Sequence, residues 1–218
     1  MAKNKKISQN DIISYYMSFI LENNTQPKSV YAFAKANNIE EAQFYSFFGS
    51  FEAIEKEIFN AFFKNTMQAL GKSEEYPTFD ARNKLLSFYF TFFENLSANR
   101  SYILLALNLK KGSLQKFKAL TDLKNHFTTY VAELNIETID FKEQKITKIQ
   151  QKTIGESAWI QLLMTIQFWI NDSSASFEKT DILIEKAVNT SFDLLNTAPL
   201  KSIMDLGKFL YKEKMNVN

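Results

Sequence analysis

The chain has 218 residues, with 26 Lys and Arg against 24 Asp and Glu and a single His, for a formal net charge of +2. That length suits one domain or two closely packed ones, and so slight a charge argues neither for nor against a nucleic-acid partner. The absence of cysteine rules out disulfides, thiolate catalysis and cysteine zinc sites, while five Gly, three Pro and no alternating apolar runs point to an all-α protein.

The N-terminus is basic, but Ile7 to Asn10 is no apolar stretch, so a signal peptide is not expected. No run of 18 apolar residues occurs, so no membrane span is expected either, and the chain reads as cytoplasmic. Ile12, Ile13, Tyr16, Phe19 and Ile20 carry the spacing of a first helix. Val30, Phe33 and Ala34 form the apolar face of a second, which ends at the turn Asn37-Asn38. Ile39 plugs that turn into the core, and a short third helix runs from Glu40 to Phe47. Gly49-Ser50 breaks it, and Ser50 caps the next helix, Ala53 to Leu70, with Ile54, Ile58, Phe59, Phe62 and Phe63 inward. Two short helices across a tight turn followed by a long one form a unit of the helix-turn-helix kind, whose second helix reads the major groove.

After the break Gly71 to Pro77 comes an aromatic helix, Phe79 to Leu96, then a short apolar one, Tyr102 to Leu109, and a third, Leu114 to Leu134. The longest helix is expected at Phe141 to Ile170, followed by Phe177 to Leu195, with Ser176 as its cap, and a tail helix within Pro199 to Lys214. Phenylalanine, tyrosine and tryptophan together make 15% of the chain, and aromatic residues on several helices line ligand cavities in bundles or fill large cores. The first reading draws a pocket from Phe88, Phe92, Leu105, Phe127, Trp159, Leu163 and Phe168, suited to an apolar or lipid-like small molecule. From Ala158 to Ile170 apolar residues wrap the whole helix, which then needs cover on every side. With Ile182 to Leu195 as a second overloaded helix, a homodimer closed by an isologous four-helix contact is expected at Trp169, Ile184, Val188, Phe192 and Leu195.

The order Ser29-Val30, Phe33-Ala34, Ile39, Phe44-Tyr45, Phe48, Ser50 and Ile54 resembles the N-terminal domain of the tetracycline-repressor (TetR) family over roughly residues 7 to 60. The resemblance implies a DNA-binding-like domain at residues 1–52, a connecting helix and linker at 53–76, a ligand-binding and dimerisation bundle at 77–198, and an amphipathic tail at 199–218. It also implies a ligand-responsive transcription regulator that binds DNA as a dimer. Lys28, Ser29, Lys35, Gln43 and Tyr45 are its DNA-facing candidates, with Lys5 and Lys6 able to add phosphate contacts. The charge pattern runs against DNA: from Ser29 to Glu52 there is one cation, Lys35, against Glu40, Glu41 and Glu52. The family commonly has a lysine after the Gly-Ser turn, where this chain has Phe51. Tyr45 matches the family's phosphate-contacting tyrosine, and Gln43 has the groups to pair with an adenine edge; both residues also fit as the plain surface of a small helix.

A second resemblance lies in Asn171-Asp-Ser-Ser, Phe177-Glu178 and Thr180, which are similar to the lipid-binding accessory proteins of ubiquinone biosynthesis. Those proteins have a TetR-like fold without DNA binding, and the resemblance implies an isoprenoid ligand and peripheral membrane contact through the tail. The other function left open is therefore a lipid-binding or protein-interaction module that has lost DNA. Leu200, Ile203, Met204, Leu206, Leu210 and Tyr211, flanked by Lys201, Lys208, Lys212 and Lys214, suit a membrane-surface helix or one docked on its own domain. No enzyme, cofactor or metal site is expected: His126 sits beside Lys124 and Asn125 on a polar stretch, and no nucleophile elbow or phosphate loop is present.

Overall fold

A computed structural model describes residues 7–108, 118–136, 144–195 and 206, and among them there are nine α-helices, two single-turn 3-10 helices and no strand. The basic residues Lys5 and Lys6, the helix starts at Leu114 and Phe141, and the tail from Pro199 lie outside the described residues, apart from an exposed Leu206. No described helix is long and apolar enough to cross a membrane.

Helix α1, Gln9–Asn23, opens with a reciprocal cap in which Ser8 Oγ accepts from the Asp11 amide while Asp11 accepts from the Ser8 amide. It ends at Asn24, whose left-handed φ of 51° stops the helix. Ile12, Tyr16 and Ile20 make its buried stripe. Helix α2, Val30–Ala36, is capped by Ser29 Oγ, which accepts from the Ala32 amide at 3.1 Å. Helix α3, Glu41–Tyr45, is followed by α4, Phe51–Leu70, whose Ala53 amide donates to Ser50 Oγ, so the expected Ser50 cap is present. A turn with the 3-10 helix Tyr76–Thr78 leads to α5, Ala81–Ala98, where Asp80 accepts from the Asn83 amide. Then come α6, Arg100–Asn108, α7, Thr121–Glu133, α8, Gln144–Asn171, and α9, Glu178–Leu195.

The chain folds into two compact units that interleave along the sequence. One draws on residues up to Ala69 and on Thr91–His126, and the other on Leu70–Phe90 and the residues from Phe127 onward. In the first unit α1 packs on α6. Phe33, Phe44 and Ile54 are fully buried there, each burial worth roughly 1.5–3 kcal/mol. Asn95 Nδ2 on α5 donates to Thr66 Oγ1 on α4, which donates in turn to the Phe62 carbonyl.

The core of the second unit is aromatic. Phe88 lies 5.2 Å from Phe127 and stacks at 5.0 Å on Tyr130, and Trp159 lies 6.4 Å from Phe127. Tyr130 Oη donates to the Lys84 carbonyl, so in the Tyr76–Tyr130 hydroxyl pair at 2.8 Å the proton comes from Tyr76. Arg82 pairs with Asp193 at 2.7 Å and lies over the Phe192 ring, joining the start of α5 to the end of α9.

Candidate functional site

The head is built by α2 and α3. Asn37 closes α2, Asn38 takes a left-handed φ of 53°, and the Ile39 amide donates to the Ala34 carbonyl at 3.0 Å while its side chain is buried. Asparagine tolerates that φ because its short polar side chain bonds locally. Phe33 and Phe44 turn inward from the two helices, with their rings at 5.9 Å. Glu41, Ala42 and Tyr45 are left exposed on α3, as is Ser46 just after it, and Lys28, Ser29 and Lys35 are exposed around α2. Four of the five DNA-facing candidates are thus on the surface; Gln43 is half-buried.

Three details alter what this surface offers. The Gln43 amide oxygen accepts from the Glu40 amide at 2.9 Å, completing a capping box. Bidentate reading of adenine needs both ends of that amide, so Gln43 must leave its cap to read a base. Ser29 likewise spends a lone pair on its own helix. Phe51 turns into the core, stacking on Tyr16 at 5.5 Å and meeting Phe33 and Phe44 edge to face. Its place is taken up by packing, and Tyr45 is 54% exposed on α3.

Beneath the head lies a buried carboxylate that periodicity alone did not single out. Glu55 is 3% exposed, and its Oε1 accepts from Tyr16 Oη at 2.8 Å and from Gln26 Nε2 at 2.6 Å. Burial and the neighbouring Glu55 push the Tyr16 phenol up, so it stays a donor. Burial also pushes up the Tyr102 phenol on α6. The signal in the sequence is that Glu55 lies between Ile54 and Ile58 on a stripe otherwise apolar.

The pocket candidates fall in both units. Phe88, Phe127 and Trp159 come together in the second unit, all buried; Leu163 is half-buried there, and Phe168 is 41% exposed. Phe92 is fully buried in the first unit, and Leu105 is half-buried. His126 is exposed and its ring stacks on Phe63 at 5.6 Å.

Most of the residues named for a dimer contact are covered within the single chain. Trp169, Ile184 and Val188 are fully buried in the single chain, Phe192 is covered by Arg82, and Leu195 is half-buried. The chain's own core takes the most apolar face of each helix first. Gln151, Lys152 and Phe168 are exposed on the described part of α8, and beside them Thr153, Ser157, Ile160, Met164, Gln167 and Asn171 form an exposed stripe at alternating steps of four and three that carries no charge of its own. The exposed side of α9 is instead mostly charged, with Asp181, Glu185, Lys186 and Asp193 beside Ile182 and Leu194.

The corner between α8 and α9 also departs from expectation. Ser176 is not the cap of α9: it has a left-handed φ of 51°, which points it away from that role. Asp172 and Ser174 do the capping instead. Asp172 accepts from the Ser174 amide and hydroxyl and from the Thr180 amide and hydroxyl, at 2.6–2.9 Å. These four bonds hold its carboxyl well below the usual carboxylate range.

Along the chain, a helix-turn-helix head is followed by a long helix and further α-helices. Residues 84–210, more than half of the chain, match the family model described as the tetracyclin repressor-like C-terminal domain, and the chain belongs to that family. No curated protein matches it.

Proposed function

We propose that this chain is a ligand-responsive regulator of transcription that binds DNA as a homodimer. The observation that carries this reading is the complete α2–turn–α3 head, with Phe33, Ile39 and Phe44 inward and the Tyr45 face of α3 outward, in a chain of this family. The exposed cations Lys28 and Lys35 and the Tyr45 hydroxyl supply phosphate contacts. The uncharged α8 stripe through Ile160 and Met164 is the surface a second copy covers, since steps of four and three are the pattern by which two helices interlock. An apolar small molecule held among the aromatic helices shifts the population towards the head spacing that fits, or fails to fit, two successive major grooves. The test is a hydroxyl-radical footprint on DNA recovered with the purified protein. Two protected half-sites about 10 base pairs apart centre to centre support the reading, and uniform cleavage at every protein concentration contradicts it.

A second reading, a lipid-binding module that has given up DNA, is favoured by Phe51 and Gln43, both engaged in the head's own structure. Its mark is a stoichiometric isoprenoid or other lipid in solvent extracts of the purified protein. Contact of the tail with anionic vesicles belongs to this reading.

A further inference from the structure

Two adjacent non-glycine residues in the α8–α9 corner, Ser176 and Phe177, have left-handed φ angles of 51° and 62°. For a bulky residue such as Phe177 that conformation is a true outlier, and backbone strain of this kind persists only where the surroundings over-determine it. The surroundings here are specific. The Phe177 ring lies 6.0 Å from Trp169, which is fully buried. The amides that α9 cannot satisfy within itself are each met from the corner: Phe177 N–H donates to the Ser174 carbonyl, Glu178 N–H to the Ala175 carbonyl, Lys179 N–H to Ser174 Oγ, and Thr180 N–H to Asp172 Oδ2. Asp172 is 6% exposed and reaches across eight residues to do so.

From this we infer that the corner is a spring-loaded latch, in which the Asp172 carboxylate holds Ser176 and Phe177 in strained backbone conformations. When the latch opens, both residues relax to negative φ and the first turn of α9, Glu178 to Asp181, unwinds while the rest of α8 and α9 stays paired. The corner lies wholly in the second unit. Four charge-assisted bonds to a carboxylate are what a latch against strain requires, because each is stronger than a neutral bond. Ser174 and Thr180 each give both an amide and a hydroxyl, so the Asp172 carboxylate is the single common acceptor. Ser176 is exposed, so glycine there relieves that residue's share of the strain without emptying a packed site.

The experiment is residue-resolved amide hydrogen exchange on the full chain, comparing wild type, Asp172→Asn, Ser176→Gly and the double variant. Asp172→Asn should raise exchange at the Lys179 and Thr180 amides about tenfold or more, with the middle of α8 and α9 unchanged. Ser176→Gly alone should slow the same amides, and in the double variant should return them towards the wild-type rate. Unchanged exchange in Asp172→Asn overturns the latch, as does fast exchange spread along both helices, which marks an ordinary core residue. Should Asp172→Asn fail to fold, Ser176→Gly in the wild-type background still decides: slower exchange at Lys179 and Thr180 supports the latch, and faster or equal exchange overturns it.

Discussion

Phe51 shows how one side chain redirects a surface. A cation at the start of α4 would point at a phosphate, whereas this ring contacts Tyr16, Phe33 and Phe44. Phe51→Lys should therefore lower stability by about 2–4 kcal/mol, seen as a lower thermal midpoint, rather than simply strengthen DNA binding. A midpoint equal to wild type would mean that the aromatic cluster does not depend on this ring. Tyr45→Ala should do the reverse. With its side chain largely exposed, it should change stability by under about 1 kcal/mol while weakening DNA binding, measured by fluorescence anisotropy on a recovered site. The sequence has Phe51 where the family resemblance implies a lysine, and Gln43 has the groups to read a base. The sequence did not show that Gln43 caps its own helix, because a glutamine three residues into a helix serves either role. Glu55 escaped for a related reason: its partners Tyr16 and Gln26 are 39 and 29 residues away, a pairing only the fold creates.

At the scale of elements, helix positions were legible wherever apolar spacing and a turn signal coincided. The Ser50 cap and the Asn37-Asn38 turn are the clearest cases. The corner before α9 was not legible, because three serines and an aspartate compete for one cap and their backbone angles decide among them. Asp172 also gives this element a pH signature. Its pKa in the folded chain lies below its unfolded value, so its contribution is complete above about pH 4 and is lost as pH falls further. Acid titration followed by hydrogen exchange should show the first turn of α9 loosening only below about pH 4; loosening between pH 5 and 7 would assign the effect to another group. Helix α8 carries the other element-scale prediction. Met164→Glu puts a charge on the exposed uncharged stripe and should convert a dimer to a monomer by sedimentation with helix content unchanged. A dimer that persists would move the contact off α8. The stripe was hidden in the sequence because a helix apolar all round does not say which side its own core will take.

For the whole molecule, the buried phenols set an alkaline limit. Tyr16, Tyr89, Tyr102 and Tyr130 all have pKa values raised by burial. A raised folded-state pKa contributes stability that is present below the unfolded value, about 10, and is lost as pH rises beyond it. Phenolate absorbance and loss of helical circular dichroism should therefore rise together above about pH 10. The head sets a second limit. With Lys28 and Lys35 of two heads on phosphates, log affinity against log salt should fall with a slope of about −4, whereas a markedly steeper slope would bring Lys5 and Lys6 onto the backbone. In the proposed function this head reads DNA despite its inward Phe51, its self-capped Gln43 and its exposed Glu40 and Glu41. The most direct test is selection from random and genomic DNA by the purified protein at low and moderate salt, with Tyr45→Ala alongside. A DNA-reading head should yield a palindrome whose enrichment falls with salt and is reduced by Tyr45→Ala. No enrichment at low salt from folded wild-type protein would contradict it.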